Sequence, residues 1–250
     1  MSTLNITPDT TIALVTGSNQ GIGFEIAKKL ASENKDCHVI VSGRRADAVK
    51  EATSSLETQG LNVSSLVLDI TSGDSIAAAV KTINEEFGRL DILINNSAIS
   101  GHGMTVSRRE LMIAVYNTNC IGTALVTDAL IPLLERSTKT RRIVFVSSAL
   151  SSLTLKADPA DPMHSFDLGV YTHSKSALNM MALHYAVRYE DDLQWKVNIT
   201  CPGHNSRTVL NGYTGTEPVD LGAISSFNAA ILGSDGETGT FKDDKRFIPW

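Results

Sequence analysis

The sequence has few of the features that mark secreted, metal-binding or membrane-spanning proteins. It contains three cysteines, far apart and without a C-x-x-C pair, which argues against both a disulfide framework and a thiolate zinc site. The first residues carry neither a basic start nor an apolar run, so we expect no secretory signal. No stretch approaches ~18 consecutive apolar residues, the length of a transmembrane helix. We therefore expect a cytoplasmic protein.

Basic charge is also scarce. The 250 residues include 22 lysines and arginines against 27 aspartates and glutamates, a formal net charge of −5. Because nucleic-acid binders carry a basic excess on one face, this balance argues against nucleic acid as a partner. Hydrophobic residues make up 42% of the chain, which is enough for a full-sized core and too many for a disordered protein. The expected partner is a small molecule, and no metal is expected.

Short apolar runs alternate with helical patterns along the chain. Strands are predicted at 11–16, 37–42, 63–68, 90–95, 142–147, 195–200 and, briefly, 239–242. Helices are predicted at 22–33, 46–58, 73–87, 107–136, 171–190 and 217–232, and residues 151–169 are predicted to form a loop. Such alternation gives parallel strands joined by right-handed crossovers. The sequence therefore predicts one α/β domain over residues 1–250, a doubly wound parallel sheet.

A glycine-rich turn follows the first predicted strand. Residues 16–23 are T-G-S-N-Q-G-I-G, and a helix opens immediately afterwards. In this context Gly17 permits a tight turn, Gly21 lets the backbone approach a pyrophosphate, and Gly23 lets the helix pack close to the sheet. The predicted cofactor contacts in the turn are Gly17, Ser18, Asn19, Gln20, Gly21, Ile22 and Gly23. The alternative is a connection that uses glycine for its turn geometry alone.

The spacing of these glycines, G-x-x-x-G-x-G, differs from the general dinucleotide fingerprint G-x-G-x-x-G. Here the sequence resembles the short-chain dehydrogenase/reductase family, whose signature is T-G-x-x-x-G-x-G. The later motifs extend the resemblance from residue 11 to about residue 208. The resemblance implies a Rossmann-like fold and an oxidoreductase that uses a nicotinamide cofactor.

The end of the second predicted strand indicates which nicotinamide cofactor binds. Arg44 and Arg45 follow Gly43, and no acidic residue precedes Asp47. An acid at this point would bind the ribose 2′-OH of NAD, whereas two guanidinium groups suit a 2′-phosphate. We therefore predict NADP as the cofactor, which the resemblance also implies. The alternative is that both arginines are solvated surface charges.

Asp69 and Ile70 close the third predicted strand. The resemblance implies that Asp69 bonds the adenine amine and that the main chain of Ile70 assists. The residues alone also allow Asp69 to cap the next helix. Both roles are compatible if Thr71 or Ser72 makes the cap.

The fourth predicted strand ends in N-N-S-A, residues 95–98, where similar proteins have N-N-A-G. The resemblance implies that Asn95 bridges backbone groups of the central strands. It also implies that Asn96, Ser97 and Ala98 line the adenosine ribose. Ser97 and Ala98 depart from the family pattern, but both are small enough for close approach of a cofactor.

Tyr171 and Lys175 form a Y-x-x-x-K pattern on a predicted helix. Their spacing puts both side chains on one helical face. A nearby ammonium favours the phenolate, so Lys175 is expected to lower the pKa of Tyr171 and make it a usable acid or base. Taken alone, the spacing occurs often by chance and is more typical of a packed tyrosine and a solvated lysine.

Two further positions match the family's catalytic set. Ser147 and Ser148 lie at the C-terminal end of the fifth predicted strand. The resemblance implies that Ser148 holds the substrate oxygen, with Ser147 as the alternative register. Asn119 lies inside a predicted helix, where asparagine is a poor helix former. The resemblance implies that Asn119 marks a kink holding a water that links Lys175 to solvent; Asn117 is the weaker alternative.

The sixth predicted strand leads into Pro202 and Gly203, which match the family's P-G turn beside the nicotinamide. Thr208 is predicted to contact the carboxamide or a phosphate, although it follows Gly203 one position later than in relatives. The extra residue falls within H-N-S-R, residues 204–207.

Together these residues predict an NADP(H)-dependent carbonyl reductase or alcohol dehydrogenase. The alternatives are a dinucleotide-binding regulator without turnover and a related C=C reductase. The substrate would meet loops at 97–104, 149–170 and 203–220, whose composition suits a moderately apolar molecule. Tyr171 comes 23 positions after Ser148, a longer separation than in most relatives, and this insertion resembles that of carbonyl reductases that work as monomers. We expect the inserted loop to cover the outer face of the Tyr171 helix and to favour a monomer.

Overall fold

The parallel sheet predicted from the sequence is present. The computed structural model describes residues 6–166, 168–203, 208–215 and 217–250. Its strands are β1 (Thr11–Val15), β2 (Cys37–Gly43), β3 (Val63–Val67), β4 (Ile92–Asn95), β5 (Arg141–Val146), β6 (Trp195–Thr200) and β7 (Phe241–Lys242). They pair in parallel in the order β3-β2-β1-β4-β5-β6-β7. From β1 the strand order runs to one edge of the sheet, and from β4 it runs to the other edge. This reversal of strand order leaves a crevice at the carboxyl ends of β1 and β4, where such folds bind ligands.

Helices cover both faces of the sheet, which completes a single Rossmann-like domain. They are α1 (Gly21–Glu33), α2 (Ala46–Glu57), α3 (Gly73–Phe87), α4 (Arg108–Tyr116), α5 (Thr123–Leu134), α6 (Leu153–Ala157), α7 (Val170–Arg188) and α8 (Ile224–Ala230). Helices α1, α2 and α8 bury one face, and α3, α5 and α7 bury the other. Strands buried on both sides explain the continuous apolar runs of the sequence. Within the described ranges, no helix has the length and apolarity needed to cross a bilayer.

The predicted helix over 107–136 is interrupted. A π-helical turn, Asn117–Gly122, separates α4 from α5. Gly122, the last residue of this turn, lies against the segment that follows β3. A Cβ at Gly122 would be 2.5 Å from the carbonyl oxygen of Ile70. The widened turn is the kind of irregularity often found at functional sites. The predicted helix over 217–232 is likewise shorter, because a 3-10 turn, Val219–Ala223, precedes α8.

The predicted loop over 151–169 proved partly helical. It contains α6 and a 3-10 turn, Pro162–His164. The Ser152 hydroxyl accepts a hydrogen bond from the N–H of Leu155 at 3.1 Å and caps α6, and Asp161 caps the second turn in the same way. Side-chain caps therefore stabilise these short elements, which are too brief to show hydrophobic periodicity.

The inserted segment does not cover the outer face of α7, contrary to the expectation above. Met180 and Val187 on that face are 71% and 60% exposed. The N–H of Thr154 in α6 instead donates to the carbonyl oxygen of Trp250 at 2.8 Å, so the segment packs towards the end of the sheet. The structural reason for expecting a monomer is therefore wrong, and the oligomeric state stays a prediction.

Candidate active site

The glycine-rich turn needs glycine at two kinds of position. Gly17 and Gly21 have φ values of 63° and 60°, in the left-handed region that L side chains rarely adopt. Gly23 is required by space, because a Cβ there would lie 2.3 Å from the amide nitrogen of Asn96 and 2.5 Å from the carbonyl oxygen of Gly17. The turn is thus built against the end of β4, with α1 packed closely beneath it.

Asn96 and Thr16 fasten this turn to the sheet. The Asn96 side-chain amide donates to the carbonyl oxygens of Thr16 and Gly17 at 2.9 and 3.1 Å. In return, the Thr16 hydroxyl accepts from the N–H groups of Asn96 and Ser97, both at 3.0 Å. Asn95, which was expected to bridge backbone groups, donates instead to the hydroxyl of Thr127 at 3.0 Å. The backbone-bridging role therefore falls on Asn96, whose side chain points towards the turn.

Ser18 shapes the turn from inside. Ser18 is fully buried. Its N–H donates to the carbonyl oxygen of Ser42 at 2.7 Å, and its hydroxyl donates to the carbonyl oxygen of Val15 at 2.7 Å. Asn19 lies over Gly43, where a Cβ would come 2.4 Å from the Asn19 side-chain oxygen. Exposed Gln20 precedes α1. The N–H and the hydroxyl of Ser18 are therefore both used within the protein.

The start of α1 is suited to an anion. Within the described stretch 6–166, this helix begins with no side-chain cap and no acidic residue in its first turn. Its first N–H groups and its positive dipole end, around Gly21 and Ile22, therefore remain directed outwards. A diphosphate fits this donor set, because the two left-handed glycines also allow close approach of the backbone.

Arg44 and Arg45 flank the end of β2 on two sides. Arg44 lies near Asp69 and contributes to holding the pKa of that carboxyl below its usual range. Arg45 lines a cleft of about 350 Å³ that also includes Asn19 and Gln20. Both arginines are exposed. Two cations at this strand end fit a phosphate group on the adenosine ribose better than a bare hydroxyl.

Asp69 does not cap α3, so the cap is made by a different residue from the one predicted to bond adenine. The Asp69 carboxylate accepts hydrogen bonds from the hydroxyl and the N–H of Thr71 at 2.6 and 2.9 Å, and these bonds are the main cause of its lowered pKa. Ser72 makes the cap by accepting from the N–H of Ser75 at 3.3 Å. Ile70 is buried, and its carbonyl oxygen faces Gly122.

Tyr171, Lys175 and Ser148 come together at the carboxyl end of β5. Tyr171 and Lys175 occupy one face of α7, both buried, with the Lys175 ammonium 5.8 Å from the centre of the Tyr171 ring. The ammonium donates to the carbonyl oxygen of Val146 at 2.7 Å. The Ser148 side chain lies close enough to the Tyr171 phenol to favour a lower pKa of that group. The Ser147 hydroxyl donates to Asn179 at 2.6 Å, so Ser148 is the serine that faces Tyr171.

The two ionisable groups are shifted in opposite directions by burial. Loss of solvent raises the pKa of Tyr171 well above its usual value, and the nearby Cys201 adds to the rise, while the nearby Ser148 side chain opposes it. Burial lowers the pKa of Lys175 to about 8. Lys175 was expected to lower the tyrosine pKa, but Ser148 provides that contribution, since the ammonium is directed at Val146. Tyr171 is therefore protonated at neutral pH, as a general acid must be.

Asn119 stands in the π-helical turn and is fully buried. Its side chain accepts from the N–H of Ile99 and donates to the same residue's carbonyl oxygen, both at 2.9 Å. It also donates to the Ser174 hydroxyl at 2.9 Å, and Ser174 donates to the carbonyl oxygen of Tyr171 at 2.7 Å. Asn119 thus connects a predicted substrate loop to the helix of Tyr171, and the local distortion expected at this residue is present.

The turn after β6 closes the site from the other side. Gly203 has a φ of 86°, and the buried sulfur of Cys201 accepts from the N–H groups of Ala149 and Gly203 at 3.2 and 3.4 Å. Pro202 lies between Cys201 and Gly203 in the sequence. Thr208 lies beside the glycine-rich turn, where a Cβ at Gly21 would be 3.9 Å from its methyl group. Residues 204–207, which hold the expected insertion, lie outside the described residues.

Two of the predicted substrate loops meet above this site. The Ser100 hydroxyl donates to the carbonyl oxygen of Leu210 at 2.5 Å. The His102 ring lies against Gly212, at which any Cβ would come 2.4 Å from a ring nitrogen. The contact joins loop 97–104 to the segment after Thr208.

Sequence reasoning missed several polar residues that hold the site together. Thr16 and Ser174 stand inside motifs that were identified, T-G and Y-x-x-x-K, so their positions were a usable signal. Ser151 and Asn179 lie outside any motif and were missed for that reason. Across the described part of the chain, no three His, Cys, Asp or Glu side chains converge as metal ligands would.

Comparison with known proteins places these features in a wider group. The family described as short chain dehydrogenase matches residues 11–217. The short-chain dehydrogenase anuI of Penicillium roqueforti is 35% identical, covering 95% of this chain and 95% of its own. The NADPH carbonyl reductase 1 of Rattus norvegicus is 27% identical, with 97% of this chain and 99% of its own covered.

Solved structures agree with the fold. Salutaridine reductase from Papaver somniferum superposes with a TM-score of 0.80 at 27% identity, covering 94% of this chain and 99% of its own. A short chain dehydrogenase from Shigella flexneri complexed with NADP gives a TM-score of 0.76 at 25% identity, covering 96% and 100%. The similarity therefore extends over almost the whole chain in sequence and in structure.

Proposed function

The chain belongs to the short-chain dehydrogenase family, and on that basis we propose that it is an NADP(H)-dependent carbonyl reductase. The observation that carries the proposal is the convergence of buried Tyr171, half-buried Ser148 and the buried Lys175 ammonium at the carboxyl end of β5. The proposed catalytic residues are Tyr171, Ser148, Lys175 and Asn119. If the chain lacked these four residues, its family membership would instead be compatible with a non-catalytic role.

In the proposed reaction, bound NADPH supplies the hydride that reduces a carbonyl carbon. The Tyr171 phenol, which is protonated at neutral pH, donates its proton to the carbonyl oxygen. The Ser148 hydroxyl donates a hydrogen bond to the same oxygen and stabilises its developing negative charge. Lys175 binds the hydroxyls of the nicotinamide ribose, and Asn119 maintains the path by which Tyr171 is reprotonated.

NADP(H) is favoured over NAD(H) by the charges around β2. Arg44 and Arg45 flank the strand end from two sides, and both are exposed to an incoming phosphate. The similarity to an NADPH carbonyl reductase and to an NADP-complexed structure supports the same choice. The residues proposed to contact the cofactor are Gly17, Ser18, Asn19, Gln20, Gly21, Ile22, Gly23, Arg44, Arg45, Asp69, Ile70, Asn96, Ser97, Ala98, Tyr171, Lys175, Pro202, Gly203 and Thr208.

The substrate is proposed to be a moderately apolar ketone or aldehyde. Apolar side chains from the predicted substrate loops are exposed, namely Met104, Leu153, Leu168, Val209 and Tyr213. A polar loop surface would have favoured a charged or heavily hydroxylated substrate. The cytoplasmic location stays a prediction from the sequence.

A test is to follow NADPH oxidation in the presence of aldehydes, ketones, quinones and enones. We expect turnover with ketones or aldehydes and a kcat/KM for NADPH at least tenfold that for NADH, since one lost charged contact costs about 1.5–3 kcal/mol. Arg44→Asp should reverse the cofactor preference. Arg109→Asp, at an exposed position of α4, is its matched charge control and should leave the preference unchanged. Tight NADPH binding without any turnover would favour a regulator. Turnover of the C=C bond of enones alone would favour a C=C reductase.

A further inference from the structure

A buried polar cluster lies next to the proposed catalytic residues Ser148 and Tyr171. It consists of Ser147, Ser151 and Asn179, which are at most 5% exposed. The Asn179 side chain accepts from the Ser147 hydroxyl at 2.6 Å and donates to the Ser151 hydroxyl at 2.7 Å. Both ends of the asparagine amide are therefore engaged, and each bond reaches the segment that follows β5.

The cluster is linked to Ser148 through the backbone. The Ser151 hydroxyl donates to the carbonyl oxygen of Ser148 at 2.6 Å, in addition to the N–H bond of Ser151 to the same oxygen at 2.9 Å. Because each hydroxyl has one hydrogen, the order of donation is fixed: Ser147 to Asn179, Asn179 to Ser151, and Ser151 to Ser148. The chain of bonds ends on Ser148, whose side chain lies beside the Tyr171 phenol.

Asn179 continues the face of α7 that carries Tyr171 and Lys175. The three residues are spaced four apart, so their side chains line up along one side of the helix. Each contacts the end of β5: Tyr171 through Ser148, Lys175 through the carbonyl oxygen of Val146, and Asn179 through Ser147. Three successive contacts set both the height and the rotation of the helix relative to this strand.

We propose that Asn179 is a positioning residue, which holds the Ser148 hydroxyl opposite the Tyr171 phenol by bonding Ser147 and Ser151. It does not touch the reacting atoms. Its loss frees the Ser148 segment to move relative to α7, and shifts of about 1 Å can lower catalysis by on the order of 100-fold. The cofactor contacts at the glycine-rich turn lie on other strands and should be unaffected.

The inference rests on the proposed function for its kinetic consequence, and its structural claim can be tested separately. Asn179→Leu has nearly the same shape and can make neither bond. Ser151→Ala removes the link to Ser148 with a smaller change, and it serves if Asn179→Leu does not fold. Tyr185→Phe is the matched control, since it removes a 2.7 Å hydrogen bond to Asp128 from the same helix away from the site.

The first measurement is NMR of protein labelled at the tyrosine ring carbon that bears the hydroxyl. The Tyr171 resonance is assigned by its absence in Tyr171→Phe. We expect Asn179→Leu and Ser151→Ala to shift this resonance in the direction produced by Ser148→Ala, and Tyr185→Phe to leave it in place. An unmoved resonance in both cluster variants would overturn the proposal, whatever the enzyme's activity.

The second measurement is steady-state kinetics with NADPH and the best carbonyl substrate. We expect kcat of Asn179→Leu to fall about 10- to 100-fold while the KM for NADPH stays within about twofold. An equal fall in kcat for Tyr185→Phe would mean that general loosening of α7, and not the position of Ser148, is responsible. If the wild type reduces no carbonyl, the proposed function fails, and the NMR comparison still decides the role of Asn179.

Discussion

Lys175 keeps its ammonium in the protein interior, and replacing it with methionine measures what that burial costs. The side chain is 2% exposed, and its pKa falls from 10.5 to about 8. Desolvation is the main cause. Because the folded pKa is lowered, the unfolded chain binds more protons between pH 8 and 10.5. The free energy of unfolding therefore rises with pH in this window.

The size of the effect follows from the shift. One pKa unit corresponds to about 1.4 kcal/mol, so the shift costs roughly 3 kcal/mol at pH 7. By pH 9.5 roughly 1 kcal/mol of this cost remains, which gives a gain of about 2 kcal/mol between the two pH values. Lys175→Met has no ionisable group and lacks this gain. Packing changes are independent of pH, so they cancel in the comparison, and any difference between the charged and neutral bond to Val146 is already contained in the folded-state pKa of Lys175.

Urea unfolding, followed by circular dichroism at pH 7.0, 8.0, 8.75 and 9.5, tests this prediction. The free energy of unfolding of the wild type should rise by about 2 kcal/mol relative to Lys175→Met across the series. Lys50→Met, at an exposed position of α2, is the control and should follow the wild type. Parallel pH dependence in the wild type and Lys175→Met would refute the reasoning, because it would mean that Lys175 keeps an ordinary pKa.

Two further predictions concern the cofactor. Arg44→Asp should reverse the preference for NADPH over NADH, because a carboxylate repels a 2′-phosphate and bonds a 2′-hydroxyl; dissociation constants from nucleotide fluorescence check this, and an unchanged preference would contradict it. Gly23→Ala should weaken NADPH binding at least tenfold, because the added Cβ would lie 2.5 Å from the carbonyl oxygen of Gly17, whereas Gly73→Ala meets no atom within 4 Å and should bind normally. Equal affinities of the two glycine variants would show that close packing of the turn is not required.

The elements that depend on local pattern were predictable from the sequence. Strands buried on both faces produce continuous apolar runs, and the strand–helix alternation defined the topology. The ends of those strands then indicated the glycine-rich turn, Arg44 and Ser148, and the Y-x-x-x-K pattern indicated Tyr171 on a helix. The predicted sheet is confirmed because it rests on patterns of adjacent residues, and the roles of these site residues stay predictions.

Features that depend on distant contacts were not predictable. The exchange of roles between Asn95 and Asn96 is decided by Thr16 and Thr127, which are far away in the sequence. The direction of the Tyr171 pKa shift depends on burial, which the Y-x-x-x-K spacing does not report. Short elements such as α6 depend on a cap and a packing partner, so hydrophobic periodicity does not detect them.

The most direct test of the proposed mechanism is reduction of a carbonyl by the wild type and by Tyr171→Phe, using NADPH that carries deuterium at the transferable position. We predict that the wild type transfers deuterium to the alcohol carbon, and that Tyr171→Phe binds NADPH within about threefold of the wild type while its turnover falls by on the order of 100- to 10,000-fold, the usual contribution of a general acid. The phenylalanine ring preserves the packing and lacks only the hydroxyl that donates the proton. Full activity in Tyr171→Phe would contradict the account.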